Sequence, residues 1–448
     1  MRMRQYLILI FALVASSAGL AAPTVIVNVN VVPMTSETVL EAQTVVLNEG
    51  VIAVLGSVDE VPIPKDATVV DGTDRFLMPG LAEMHAHVPG ADSAELDRYF
   101  SLYVANGVTT IRGMLGQRSH LALREQLLDG SVFGPRLVTS GPSFNGRSVA
   151  GVEQARQMVR DQHAAGYDFV KIHPGLTADE FIAIGETANE LGMPFAGHVP
   201  VATGIERALQ LNMATIDHLD GYFVALLPTD SDGYGGYGGF FEVMLANELD
   251  AERIPEMARA TAAAGTWNVA TEVLIEARIN ATPVAELRNL PGMQYMPKAT
   301  VERWVASKKA LLAERDFNPE TAELAIALRR QLILELHKAG AGLLLGSDSP
   351  QVFNVPGFSI HEELDTLIAS GLTPYAALRT GTVAAAEFLG TNAGAVAVGR
   401  DADLVLLDAN PLDNIRNARR IHGVVLRGTW FSADSLEKRL SRYLGDGD

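Results

Sequence analysis

Eight short apolar segments alternate with helix-like segments through the middle of a chain of 448 residues. Such alternation is typical of βα units arranged around a parallel sheet. Eight units predict an α/β fold built on a closed (β/α)8 TIM-like barrel, with an open doubly wound sheet as the alternative. The predicted strands are 81–87, 108–112, 136–140, 169–172, 194–198, 215–218, 266–271 and 342–348, and helices are predicted over 152–165, 178–191 and 320–339.

The two ends of the chain share a different, β-rich character. Apolar and β-branched runs with Gly and Pro between them fill residues 23–71, and similar runs return at 404–407 and 421–426. Chain ends often lie close together in a folded domain. We therefore predict a composite β-sandwich domain formed by the N- and C-terminal segments, residues 23–79 and 395–448, beside a barrel domain at 80–394.

The first 22 residues have the pattern of a secretory signal peptide. Arg2 and Arg4 precede an apolar run at 6–14, and small residues follow up to Ala22. The run is short for a membrane span, and the chain has no cysteine, so an exported form would need no disulfides. We predict that residues 1–22 are removed and that the mature protein is periplasmic or secreted, without stable membrane insertion. A retained anchor is the alternative.

The charge balance restricts the partners. The chain has 35 Lys and Arg against 53 Asp and Glu, a net charge of −18. Binding to nucleic acid needs clustered cationic side chains, so this balance argues against it. A small-molecule substrate is compatible with the composition, and a homo-oligomer is left open.

Residues of the types that bind metal ions lie at the ends of several predicted barrel strands. His85 and His87 are separated by one residue, so they point to the same side of a strand. Barrel enzymes place their sites at the carboxyl ends of the strands, and imidazoles with carboxylates suit a divalent cation such as zinc. The candidate set is His85, His87, Lys171, His198, His218 and Asp348.

These residues lie in stretches that resemble signatures of the amidohydrolase superfamily. Residues 80–87, GLAEMHAH, resemble its opening motif, and residues 398–404, VGRDADL, resemble its terminal β-domain motif. The resemblance covers nearly the whole mature chain and is nearest to imidazolonepropionase-related and Xaa-Pro dipeptidase-like members with a lysine on strand four. The later signatures are Val170-Lys171-Ile172, Gly197-His198-Val199, Asp217-His218 and Gly346-Ser347-Asp348.

The resemblance implies a binuclear centre with two divalent metal ions, for which zinc is our first expectation and manganese, cobalt and iron are alternatives. His85, His87 and Asp348 would hold one ion, and His198 with His218 the other. Lys171, carboxylated by carbon dioxide, would bridge them.

The resemblance also implies that Asp348 accepts a proton from a water shared by the metals, whose hydroxide attacks the substrate. The expected reaction is cleavage of an amide in dipeptides or N-acyl amino acids. Alternatives are lactone, ester or cyclic amide hydrolysis, or a non-catalytic protein that binds a ligand or metal.

For a few other residues, the sequence allows either a functional role or a role in packing. Tyr222 and His361 are predicted to contact the substrate, with packing near the lid or at a helix end as the alternatives. Arg112 could bind a carboxylate or neutralise nearby acids, and His173 is expected to support the ligands rather than bind metal. The segment 230–239, with five Gly and two Tyr, is read either as a lid over the site or as a tolerated insertion.

Overall fold

The computed structural model describes residues 22–228 and 238–445. The chain begins with five strands: β1 Thr24–Val31, β2 Leu40–Asn48, β3 Val51–Ser57, β4 Thr68–Asp71 and β5 Phe76–Pro79. It ends with three strands and a helix: β13 Leu404–Leu407, β14 Ile421–Leu426, β15 Thr429–Ser432 and α15 Ala433–Leu440.

Between these ends, strands and helices alternate. The strands are β6 Leu81–Ala86, β7 Val108–Gly113, β8 Arg136–Thr139, β9 Val170–Ile172, β10 Phe195–Gly197, β11 Thr215–Asp217 and β12 Trp267–Val269. The first helices are α1 Leu96–Ala105, α2 His120–Leu128, α3 Val152–Ala165, α4 Ala178–Leu191, α5 Ile205–Gln210, α6 Tyr222–Ala225 and α7 Ile254–Ala264. They are followed by α8 Glu272–Ile279, α9 Val284–Leu287, α10 Lys298–Leu312, α11 Pro319–Ala339, α12 Phe358–Ala369, α13 Pro374–Thr380 and α14 Val383–Leu389. Short 3-10 turns occupy Phe240–Glu248, Ala251–Arg253, Met293–Tyr295, Ile415–Arg419 and Ser441–Tyr443.

The two ends of the chain build one sheet. Its strand order is β15-β14-β13-β5-β1-β2-β3, with β4 beside β1. The join between the ends is the antiparallel pair of β5 with β13, in which Phe76 lies opposite Leu407 and Pro79 opposite Leu404. A separate apolar core fills this sheet and includes Ile26, Val45 and Leu404. The predicted association of the termini is confirmed, and the exact domain limits stay a prediction.

The barrel closes through parallel pairing. β6, β7 and β8 form one run, and β9 to β12 form a second. A bridge between Ser140 and Phe169 joins the two runs. The segment 342–349 completes the ring, because Leu343 bridges to Asn268 of β12 and Ser349 bridges to Ala86 of β6. The expected α/β class with a (β/α)8 barrel and a terminal β domain is confirmed.

The prediction of a continuous eighth strand was wrong in detail. Over 342–349 the structure shows two isolated bridges, at Leu343 and Ser349, rather than a ladder. Leu345 N–H donates to the carbonyl of Thr380, and Ser347 N–H donates to Oε1 of Glu83. Asp348 has φ +61, outside the extended range. The N–H groups of Leu345 and Ser347 thus donate outside the neighbouring strand backbones, whereas Leu344 N–H still donates to the carbonyl oxygen of Asn268 in β12.

Several expectations lie outside the described residues. Apart from Ala22, the predicted signal peptide does so, and so do residues 230–237 of the Gly-rich segment. Within the parts of the chain that the structure describes, none of the helices combines the length and apolarity needed to cross a bilayer.

Candidate active site

An inner cluster lies at the carboxyl end of the barrel, where β6 meets the segment 342–349. His85 is on β6 and His87 follows its end, and their alternation directs both rings towards Asp348. Nε2 of His87 is 3.0 Å and Nε2 of His85 is 3.6 Å from Oδ1 of Asp348. One possible ligand atom from each residue lies within 4.8 Å of the other two. This spacing is compact enough for one cation.

The other histidines extend this cluster around the rim. The ring of His218, after β11, is 4.6 Å from the rings of both His85 and His198, measured between centroids. Its Nδ1 lies 3.8 Å from Oδ2 of Asp348. Lys171 of β9 is fully buried beneath them. The structure therefore brings together the side chains of all six candidate ligands.

Two of these imidazoles have oriented partners that the sequence analysis missed. Nδ1 of His198 is 2.6 Å from Oδ2 of Asp220, and Nδ1 of His218 is 2.8 Å from Oγ1 of Thr271. A hydrogen bond at one ring nitrogen fixes the tautomer and leaves the other nitrogen to bind a metal. The position of Asp220, two residues beyond His218, was the available sequence signal, whereas Thr271 lies between β12 and α8 and gave none.

Asp217, the last residue of β11, was also missed, although it directly precedes His218. It is fully buried and lies 3.3 Å from Nη2 of Arg112, 3.1 Å from Nδ1 of His85 and 3.6 Å from Nζ of Lys171. Burial opposes its ionisation, but Arg112 and then Lys171 outweigh burial and lower the pKa of Asp217. Arg112 thus neutralises a nearby acid, which is one of its two predicted roles.

Burial controls the protonation of the cluster. It lowers the pKa of His198 to about 3 and holds the pKa values of His85 and His218 well below their usual range, and the Lys171 charge adds to the effect. Burial also lowers the pKa of Lys171 itself. The site therefore favours neutral imidazoles with free lone pairs, the form that binds a cation.

Several buried polar atoms of the cluster have no hydrogen-bond partner. They are Nζ of Lys171, Oδ1 of Asp348, Nδ1 of His85 and Oδ2 of Asp217; the last two are close, but their angles do not form a hydrogen bond. Buried polar atoms left this way are costly. A set of nitrogen and oxygen donors that lacks protein partners suits one or two divalent cations. The residues present fit such a group.

Glu83 ties together the two chain segments that carry the inner cluster. Its Oε1 accepts hydrogen bonds from the N–H of His85 and the N–H of Ser347, and its Oε2 accepts one from the hydroxyl of Ser347. The side chain is fully buried, and burial raises the pKa of Glu83 to about 7. One carboxyl group thus sets the register of β6 against the segment before Asp348.

The two predicted substrate contacts, Tyr222 and His361, form hydrogen bonds with residues outside the ligand cluster. Tyr222 is fully buried, and its hydroxyl pairs with Oγ1 of Thr261 and donates to Oδ1 of Asn268. The Nε2 of His361 is 3.1 Å from the carbonyl oxygen of Asn106, at the end of α1. Neither side chain contacts a candidate ligand. His173, by contrast, lies against His198, with ring centroids 5.2 Å apart.

The chain is similar to several proteins of known activity or structure. Enamidase from Eubacterium barkeri is 36% identical over 76 residues, which is 16% of this chain and 20% of that protein. Ochratoxinase from Aspergillus niger is 22% identical over 445 aligned residues, covering 90% of this chain and 85% of that protein. The solved structure of a Xaa-Pro dipeptidase with bound methionine shares the fold, with a TM-score of 0.64 at 17% identity over 92% of this chain and all of that one.

The chain also matches the model of a protein family over most of its length. The model of the amidohydrolase family covers residues 76–431, from β5 in the terminal sheet through the whole barrel to β15. It includes every candidate ligand and confirms the resemblance to amidohydrolases that the motifs indicated. This chain belongs to the amidohydrolase family.

Proposed function

We propose that this protein is a metal-dependent hydrolase that cleaves a carbonyl–nitrogen bond in a small molecule. The observation that carries the proposal is the convergence of His85, His87 and Asp348 at the carboxyl end of the barrel. Membership of the amidohydrolase family supports it, as do the names of the dipeptidase and enamidase relatives. Dipeptides and N-acyl amino acids are the first substrates to test.

The ligand set would divide into two parts. His85, His87 and Asp348 would hold one cation, and His198 with His218 would hold a second. Lys171 is a buried amine of the same cluster, and burial lowers its pKa. A free amine adds carbon dioxide to give a carbamate and one proton, and the carbamate would offer an anionic oxygen to each cation. Bound divalent cations would supply positive charge that polarises the scissile carbonyl and acidifies a water molecule.

Asp348 would transfer the proton during the reaction. Its Oδ1 has no hydrogen-bond partner despite burial, so the carboxylate can accept the proton of the attacking water. It would then donate this proton to the leaving nitrogen, which departs as a neutral amine. The hydrogen bonds of Asp220 and Thr271 keep the neighbouring imidazoles in a fixed tautomer meanwhile.

The test is hydrolysis of a panel of dipeptides, N-acyl amino acids, matched amides without a carboxylate, esters and lactones. We expect amide hydrolysis that a chelator abolishes and added zinc restores. Asp348→Asn should lower kcat by about 10²- to 10⁴-fold, because a general acid–base contributes that much. Asp59→Asn, at an exposed turn, is the matched control.

Three results would contradict the proposal. Full activity in the Asp348→Asn variant would exclude the proton-transfer role. Turnover of esters or lactones alone would move the reaction to carbonyl–oxygen bonds. Metal binding without turnover of any compound would favour a binding protein on this scaffold.

Export is a separate part of the proposal. The pattern of residues 1–22 supports a cleaved signal and a periplasmic or secreted mature protein. N-terminal sequencing of the protein from the cell envelope and medium should find a first residue near Pro23. Recovery of the intact leader in the membrane fraction would instead show an anchored protein.

A further inference from the structure

A cavity of about 660 Å³ opens beside His198 at the rim of the barrel. Its walls include the apolar side chains of Leu176, Val199, Val224 and Phe240, together with the imidazole of His198. A cavity of this size accepts a small organic molecule. Because it adjoins the ligand cluster, a group attached to the scissile bond would enter it.

The ionisable side chains of this cavity are two acids and one histidine. Among the described residues that line it, the ionisable groups besides His198 are the carboxyl groups of Asp220 and Glu242, and neither Lys nor Arg is present. The usual partner of a substrate carboxylate, a bidentate guanidinium, is missing from these walls.

The two carboxyl groups are already held in place. Asp220 contacts Nδ1 of His198, and Glu242 accepts from the N–H groups of Gly221 and Val224, each at 3.3 Å. A carboxylate entering here would lose hydration without gaining a cationic side chain as a partner among the described lining residues. An uncharged apolar group would lose much less hydration free energy on entering the cavity.

An aromatic ring covers the ligand cluster on this side. The ring of Phe241 lies 4.8 Å from the ring of His218 and 6.0 Å from that of His198. Phe241 and Glu242 have φ +49 and +64, the left-handed region that side chains with a Cβ adopt at a cost. Backbone strain of this kind is concentrated at functional sites. The ring makes the entrance apolar next to the reacting groups.

We propose that the part of the substrate that enters this cavity is apolar and carries no free carboxylate. The preferred substrates are then amides of apolar, uncharged groups rather than free dipeptides or N-acyl amino acids. This inference rests on the function proposed above, and it selects among the amides that such a hydrolase could take.

The experiment compares compounds that differ by one carboxylate. The pairs are N-benzoylphenylalanine against N-benzoylphenethylamine, and phenylalanylproline against phenylalanylpyrrolidide, with the zinc-loaded mature protein. We expect kcat/KM to be at least about tenfold higher for the member without the carboxylate, mainly through KM, which corresponds to about 1.4 kcal/mol. Calorimetry measures binding of the same four compounds to the Asp348→Asn variant.

A charge introduced at the rim provides the second test. Val201 lines the cavity, and 65% of its surface is exposed, so a long side chain fits there without repacking the core. Val201→Arg should raise the acid-to-neutral ratio of kcat/KM by about tenfold, because a guanidinium pairs with a carboxylate. Val201→Gln, which is similar in length but uncharged, should leave the ratio unchanged.

The outcomes separate this inference from the proposed function. Hydrolysis that is equal for both members, or faster for the acids, overturns the inference and keeps the hydrolase. An unchanged ratio in Val201→Arg also overturns it. Binding that favours the uncharged members without any hydrolysis supports the inference about the cavity and refutes the hydrolase. Absence of both hydrolysis and preferential binding refutes both.

Discussion

At the scale of single residues, Asp217 carries more of the site than its place in the sequence indicated. Its carboxylate is shared by Arg112, His85 and Lys171, and all four side chains are buried. We expect Asp217→Asn to leave the Arg112 guanidinium without its counter-charge, at a cost of about 3–5 kcal/mol in the free energy of unfolding. Zinc affinity should also fall by about 10- to 100-fold, since such partners orient metal ligands.

Urea unfolding of the metal-free protein and competition with a chromophoric chelator measure the two effects of Asp217→Asn separately. Asp168→Asn is a useful control, because that carboxylate also pairs with an arginine, Arg124, but on the exposed side of the barrel. Unchanged zinc affinity in Asp217→Asn would mean that the residue only balances Arg112.

His361 illustrates how a residue near the site in sequence can serve the fold. It is buried against Asn106, and burial lowers the pKa of His361 to about 3, against an ordinary value of 6.5. Below pH 6.5 the unfolded chain takes up a proton that the folded chain refuses until about pH 3, so stability falls with acid over this window. One such group changes the free energy of unfolding by about 1.4 kcal/mol per pH unit.

We therefore expect His361→Gln to flatten the dependence of unfolding free energy on pH by one proton between about pH 6 and about pH 3. Urea melts across this range measure the slope. KM at neutral pH should equal that of the unaltered protein, because the ring contacts α1 rather than the cavity. A large rise in KM with an unaltered slope would restore the substrate role that the sequence suggested.

At the scale of elements, helix α11 supports the backbone at the end of β11. Arg329, in the middle of α11, donates to the carbonyl oxygens of His218 and Ala270 and pairs with Glu272 of α8 at 2.8 Å. All of this is buried, and His218 has φ +63, so its backbone needs such support. Burial raises the pKa of Glu272 to about 7 even beside this guanidinium.

This arrangement predicts an asymmetric response to mutation. Arg329→Met alone should lower the free energy of unfolding by about 3–5 kcal/mol, because it leaves the buried carboxyl group of Glu272 without its partner. The double variant, Arg329→Met with Glu272→Met, should recover part of that loss. Chemical denaturation of the single and double variants gives the coupling energy. Equal destabilisation by both would show that the hydrogen bonds to His218 and Ala270, rather than the ion pair, determine stability.

Element prediction succeeded where local signals are strong. Helices α3 and α4 begin and end where the sequence predicted, since both end at a glycine with positive φ, and α4 begins with a capping box between Thr177 and Glu180. Helix α11 starts one residue before its predicted start, because Asn318 caps it and Pro319 occupies its first position. The eighth barrel segment is not a continuous strand, because two of its N–H groups donate to Glu83 and Thr380, which are distant in sequence, instead of to a neighbouring strand backbone.

At the scale of the whole molecule, the site also divides into features with a local sequence signal and features that depend on contacts between distant residues. The convergence of the candidate ligands could be predicted because each lies at or near the carboxyl end of a predicted barrel strand, and a barrel brings those ends to one rim. Thr271 and Arg329 could not be assigned from the sequence, because their contacts depend on how neighbouring strands and α11 pack. The shape and charge of the cavity beside His198 arise in the same way.

The barrel and the terminal sheet are joined at Asp403, a buried residue of the C-terminal motif. Its Oδ2 accepts from Nε of Arg136 in β8 at 2.5 Å, and its Oδ1 accepts from the backbone N–H of Arg427 at 2.7 Å. Its carbonyl oxygen accepts from the N–H of Gly80, the residue that leads from β5 into the strand bearing His85. The terminal sheet therefore positions the start of the first barrel strand.

Two variants of Asp403 separate its charge from its hydrogen-bonding role. Asp403→Asn keeps an acceptor for Arg427 N–H but loses the ion pair, and because Arg136 is partly exposed and also near Asp401, we expect a loss of about 1 kcal/mol. Asp403→Ala leaves a buried N–H without an acceptor and should cost about 1–3 kcal/mol more. Thermal unfolding followed by both tryptophan fluorescence and zinc release measures whether sheet and barrel still unfold together. If Asp403→Ala were as stable as Asp403→Asn, the backbone contact would contribute nothing, and the junction would depend on the apolar pairing of β5 with β13.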